Sequence, residues 1–164
     1  MIYMQMYVLQ VKPGYEESAA RMLNHKGYIA ICPTEEMYIR HGGQWCKKLK
    51  LVFAQYIFIE CDLSDDDYYR IKSVCGVMRF LGHGKPEALL EHEKAYIYWL
   101  HNSGKPIEAS KVYTTSAGDK IVLSGILKTY QDDMINLDLR QRRAKINVPF
   151  CGKNHTVTIP VIGI

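Results

Sequence analysis

The sequence predicts an α+β fold followed by a small all-β barrel, and three observations carry that prediction. Over residues 1–103, strand-like runs mix with amphipathic helical runs, mostly joined by short turns. The segment GKPIEASKVYTTSAG is rich in Gly, Ser, Thr and Lys and lacks an apolar period. Beyond it, four short strand-like runs follow one another without a helix. The expected organisation is one domain over 1–103, a linker at 104–116, and a second domain over 117–164.

In order, QMYVLQV (5–11) has the β-branched and aromatic content of a strand. KPGYEESAARMLNHKG places Tyr15, Ala19, Met22 and Leu23 at helical spacing and ends on Gly27, a helix stop. YIAI (28–31) is a short strand ended by Pro33, and EMYIR (36–40) opens a hairpin around Gly42-Gly43. QYIFIEC (55–61) is the most strand-like stretch. Ser64 then caps a helix, with Asp67 three residues on completing a capping-box pattern, and Asp65, Asp66 and Asp67 suit the positive end of its dipole. Gly76 closes that helix, VMRFL returns as a strand, and EALLEHEKAYIYWLHNSG forms a third helix. GDKIVLSG, DDMINLDL, RAKINVPF and HTVTIPVI are the strands of the barrel.

Hydrophobic content of 48% and charged content of 23% over 164 residues are ordinary for a globular chain. The N-terminus has no basic leader, and no run approaches the roughly 20 apolar residues a membrane span needs. A soluble, cytoplasmic, monomeric protein without a membrane partner is expected. Five cysteines without a CxxC pair read as reduced, mostly buried thiols. The six histidines show no ligand spacing, so neither a metal nor another cofactor is expected. Phosphate loops, nucleophile elbows and metalloprotease motifs do not occur either, and an enzyme is not expected.

Charge distribution is more informative than the net value of +4. Residues 1–103 carry 12 basic and 12 acidic side chains, whereas 117–164 carry 7 basic and 4 acidic ones. The excess points to an anionic partner at the C-terminal end. Its densest part is LDLRQRRAKINV (137–148). There Ala144, Ile146 and Val148 alternate with Arg143, Lys145 and Asn147, so the latter line a solvent face. Arg140 and Arg142 fall where the chain turns back. Forked guanidinium donors suit phosphate, while a merely solvated strand face is the competing reading.

In the strand at 55–61, Tyr56 and Phe58 share one face and Ile57 and Ile59 the other. Both faces therefore need cover. A second layer of helices is the ordinary solution, and a partner protein is the alternative.

Taken together, MYVLQVKPGYE (6–16), CPTEEMYI (32–39), LVFAQYIFIE (51–60), SVCGVMRFLG (73–82), AGDKIVLSG (117–125) and LDLRQRRAKINVPFCGK (137–153) resemble the NusG family of transcription elongation factors. The resemblance runs in order along nearly the whole chain. It implies an N-terminal α/β sandwich with an antiparallel sheet and a C-terminal SH3-like barrel, the KOW domain. The RRAKINV strand is closest to the LoaP group of processive antiterminators, which recognise a nascent RNA hairpin through a basic KOW domain.

Carried over by position, the resemblance implies a patch for the β′ clamp helices of RNA polymerase at Tyr7, Phe53, Tyr56, Phe58 and Phe80. It implies a segment facing the β subunit at Tyr68, Tyr69 and Arg70. Structured nascent RNA would be bound by Arg140, Arg142, Arg143 and Lys145, with Lys128, Lys153 and His155 as lesser contacts. Non-template DNA is a further partner open to Lys47, Lys48 and Lys50, against an ordinary solvated hairpin. Two departures stand out: Asp132 replaces a usual glycine, and Cys151 replaces an aromatic that the family uses toward Rho and a ribosomal protein. Losing that aromatic suits a specialised factor better than a general one.

Overall fold

A computed structural model describes residues 4–164. The domain expected from residue 1 therefore includes three positions outside the described residues. Along the chain run β1 (Gln5–Val11), α1 (Glu16–His25), β2 (Ile29–Ile31), β3 (Thr34–His41), β4 (Gln44–Leu51), β5 (Tyr56–Cys61), α2 (Asp65–Lys72), β6 (Val77–Phe80), α3 (Glu91–His101), β7 (Ser110–Thr114), β8 (Lys120–Ser124), β9 (Met134–Asp138), β10 (Arg143–Phe150) and β11 (Lys153–Gly163). This is the mixed α+β architecture, with antiparallel sheets and a curled C-terminal sheet, that the sequence predicts. Two compact units are built from segments far apart in sequence.

The first unit takes in the chain to Cys32, Phe53–Ile97 and Phe150–Lys153. Its antiparallel sheet has the order β2-β5-β1-β6. Strand parity decides which side chains meet. Tyr7 pairs with Ile59, and Leu9 with Ile57 and Phe80, so this set faces one way. Ala19, Ala20 and Leu23 of α1 and Ile71 of α2 close over it as the core. Each large aliphatic side chain fully buried in that layer contributes about 1.5–3 kcal/mol.

Helix ends in this unit are fixed locally. At α2 the Ser64 hydroxyl accepts from the Asp67 N–H at 3.1 Å, and the Asp67 carboxylate accepts from the Ser64 N–H at 3.2 Å. That is the capping box the sequence predicts. The Tyr28 hydroxyl adds a 2.6 Å bond to the same carboxylate, tying β2's lead-in to α2. Gly76, at φ +94°, follows α2, and a Cβ there would lie 2.5 Å from the Cβ of Tyr15. Only glycine fits both the conformation and the close approach.

The second unit comprises Pro33–Val52, Tyr98–Pro149 and Asn154–Ile164. Its β3–β4 hairpin turns on Gly42 and Gly43, both at positive φ, which gives the primed turn that matches strand twist. Its five-stranded sheet has the order β8-β7-β11-β10-β9, with β11 parallel to β7 and the outer pairs antiparallel. Val112, Val122, Leu127, Ala144, Ile146, Val148, Val157, Ile159 and Val161 are buried in this unit. Trp99 donates its indole N–H to the Ile126 carbonyl at 2.7 Å.

β7 lies inside the segment read as a linker. Ser110 and Val112 face inward while Lys111 and Tyr113 face out, so the strand has a proper period of two but only one aliphatic residue to reveal it. Buried Ser110 is satisfied by the Leu127 N–H at 3.2 Å, which makes a polar inward position tolerable.

Candidate protein and nucleic-acid interfaces

The aromatic residues expected to form one patch divide between the two faces of the first unit's sheet. Phe58 pairs with Val8 on one side and Ile31 on the other, so these three form a row on the face turned away from α1 and α2. Phe53 joins Phe58 at 5.3 Å between ring centroids. Phe150 then stands over the set, 5.5 Å from Phe53, 5.7 Å from Tyr56 and 5.3 Å from Phe58, each edge to face. On this face a phenylalanine from the end of β10 covers the rings of Phe53, Tyr56 and Phe58.

Tyr7 and Phe80 do not join that row. They belong to the helix-side core, 6.1 Å apart, because their strand positions have the same parity as Leu9 and Ile57. Burial pushes the Tyr7 hydroxyl above its ordinary pKa, and it donates to Gln5 at 2.9 Å. Tyr68 stacks on Phe80 at 5.3 Å and 16° and is half-buried. Of the α2 residues, Tyr69 and Arg70 are exposed, and the Arg70 guanidinium sits 5.8 Å from the Tyr28 ring.

The basic residues divide as well. Arg140 and Lys145 are exposed, as is Lys128 in a short 3-10 turn. Ala144, Ile146 and Val148 are fully buried, so the alternation along β10 is as read from sequence. Arg143, however, is not equivalent to Lys145. It is half-buried, with an Nε enclosed without a hydrogen-bond partner, and it lies near the buried carboxyl of Glu35. Lys153 is exposed in the first unit, and His155 is half-buried.

Arg142 has a placement that periodicity does not encode. At φ +57° it occupies the left-handed region, and its guanidinium lies 4.7 Å from the Tyr38 ring centroid and 4.5 Å from that of Trp45. Tyr38 and Trp45 meet edge to face at 6.4 Å, and Arg40 reaches the Trp45 ring at 5.6 Å. A cleft of about 430 Å³ opens here, lined by Arg40, Trp45 and residues 139–143. Arg40, Tyr38 and Trp45 were not legible as site residues. Their only sequence signal is the hairpin pairing that sets Arg40 opposite Trp45. The same pairing splits the lysines of β4, putting Lys47 on the Tyr38 face and Lys48 and Lys50 on the other.

All five thiols are free, and they fall into two groups. Cys46 and Cys75 are exposed, whereas burial pushes Cys32 up to about 12 and Cys61 and Cys151 up to about 11. Among the described residues, no three His, Cys, Asp or Glu side chains gather as a metal site, and no helix is long and apolar enough to cross a membrane.

The first unit thus carries an aromatic sheet face and the second an arginine-lined cleft. The family model "Transcription termination factor nusG" matches residues 4–97. The chain is 26% identical over 163 residues to the transcription termination/antitermination protein NusG of Haemophilus influenzae, covering 90% of this chain and 85% of that one. It is 25% identical to the protein of the same name from Helicobacter pylori, covering 95% and 94%. The solved structure described as "Domain interaction in Thermotoga maritima NusG" shares the fold, at a TM-score of 0.59 and 21% identity over 97% of this chain and 94% of that one. The chain therefore belongs to the NusG family and is a NusG-like transcription termination/antitermination factor. Proteins of this family are non-enzymatic and interact with RNA polymerase.

Proposed function

We propose that this chain is a specialised, LoaP-type processive antitermination factor. Residues 1–103 dock on RNA polymerase, 104–116 connect, and the KOW domain at 117–164 binds a structured RNA in the nascent leader. The row of Phe53, Tyr56 and Phe58 meets the β′ clamp helices, and exposed Tyr69 and Arg70 face the β subunit. Arg140, Arg142, Arg143 and Lys145 hold RNA phosphates, with Lys128, Lys153 and His155 at the margin. A two-sided grip on the polymerase keeps its clamp closed and disfavours pausing. The place of action is then the cytoplasm.

The observation that supports this reading best is the cleft beside the β9–β10 turn, whose lining includes four arginines and no acidic side chain. Helical RNA is bound largely through shape and phosphate, which such a lining suits. In transcription assays with purified polymerase, a hairpin leader and a downstream terminator, the chain should raise read-through only when the hairpin is present. Charge reversal at Arg142 and Arg143 should abolish that dependence; retention of it would remove RNA from the reading.

A second reading, a general NusG whose KOW domain couples polymerase to Rho or a ribosome, draws support from the names of the relatives. It predicts hairpin-independent effects on elongation and direct binding of Rho. Half-buried Cys151 at the position of the family's aromatic leaves that docking surface without its ring.

A further inference from the structure

We infer that the phosphate-binding centre of the second unit is a composite cleft. In it Arg40 of the β3–β4 hairpin acts together with Arg140, Arg142 and Arg143, and the Tyr38–Trp45 pair positions Arg142. The inference rests on the RNA-binding reading above and assigns it residues that the KOW segment does not contain.

Four guanidinium groups line one opening of about 430 Å³, with Trp45, Leu139 and Gln141 as the remaining wall. None of these seven is acidic. Two neighbouring carboxylates are otherwise committed. Asp138 accepts from the Gln141 N–H at 3.0 Å and so shapes the turn, and Glu35 is buried, with burial raising its pKa to about 8. Like charges this close repel, and a phosphodiester oxygen supplies the missing counter-charge through forked donors.

The cleft is also prearranged. Arg142 is fixed by two ring faces and by a left-handed backbone that non-glycine residues adopt only with strain. Cation–π contacts with two rings are attractive. They therefore offset that strain and hold the guanidinium in place before a ligand arrives. Arg40 pairs across the hairpin with Trp45, which brings a fourth positive group from a strand distant in sequence.

The test uses the full chain and a fluorescein-labelled RNA stem-loop with a G·C stem, titrated by anisotropy at several salt concentrations. Arg40→Gln should weaken binding several-fold and lower the salt slope by about one phosphate contact. Arg40→Lys should keep the slope. Trp45→Leu and Tyr38→Leu, acting through Arg142, should weaken binding while the slope changes little, because no charge is lost. Unchanged affinity and slope for Arg40→Gln, with losses in Arg140→Gln and Lys145→Gln, would overturn the composite cleft and leave the RNA grip standing. Failure of the unaltered chain to bind the stem-loop even at low salt would overturn both.

Discussion

The ring of Phe150 stands 5.3 Å from that of Phe58, at an interplanar angle of 87°, and both side chains are wholly buried. Phe58 lies in the middle of the first unit's sheet, on the face turned away from α1 and α2. Phe150, from the end of β10, packs directly onto that face. Edge-to-face pairs add about 0.5–1.5 kcal/mol each beyond the apolar area they bury, and Phe150 makes three.

Replacing Phe150 with alanine should lower stability to urea by about 3–5 kcal/mol. If the row beneath it meets polymerase, the same variant should bind purified polymerase more tightly, since the face no longer has to be uncovered. Phe58→Ala should lose both stability and binding. Polymerase affinity that is identical in all three proteins would detach this face from the proposed function.

Glu35 gives a pH dependence with a defined sign. Its carboxyl is raised from 4.5 to about 8 by burial, against the opposing pull of Lys50 and Arg143. Between those values the folded chain binds more protons than the unfolded chain, so this group's contribution falls as pH rises, by at most about 1.4 kcal/mol per pH unit. Below 4.5 the penalty is absent, and above about 8 it is complete. Glu35→Gln should flatten the stability profile and be the more stable form at alkaline pH, as urea unfolding across that range will show.

Alkylation should separate the thiols. Cys46 and Cys75 are exposed and should react with iodoacetamide under native conditions, while Cys32, Cys61 and Cys151, raised by burial, should wait for unfolding. Peptide mass mapping after a short pulse reads this directly.

Ser64→Ala removes the hydroxyl that accepts from the Asp67 N–H and donates to the Asp67 carboxylate at 2.8 Å. Loss of about 1 kcal/mol is expected from chemical denaturation. The Asp67 pKa, held below its usual value first by the Tyr28 hydroxyl and then by Ser64, should rise toward normal without returning to it. An NMR titration of the carboxyl carbon distinguishes this from a wholly local fraying of α2.

Elements whose physics is local were legible in the sequence. The capping box at Ser64, the glycine turn at 42–43 and the alternation of Ala144, Ile146 and Val148 each follow from residues within one or two turns of one another. The sites were less so. Tyr7 and Phe80 carry the right aromatic character, but register places them with the core, and register is set by pairing across strands. Arg142 was legible as a basic turn residue, yet its ring partners lie a hundred positions away along the chain, where no periodicity reaches. β7 escaped because Ser110, a polar residue, fills an inward position.

The position of β11 bears on how the protein is made. It is the central strand of the five-stranded sheet, with β7 on one side and β10 on the other, and it follows the other four in sequence. During synthesis β7–β8 and β9–β10 can each form as a hairpin, but nothing joins them until residues 153–163 have cleared the ribosome. The two arginine-bearing segments, β3–β4 and the β9–β10 turn, therefore emerge well before the sheet that fixes the second of them is complete. Until β11 is in place, β7 and β10 each present an open strand edge.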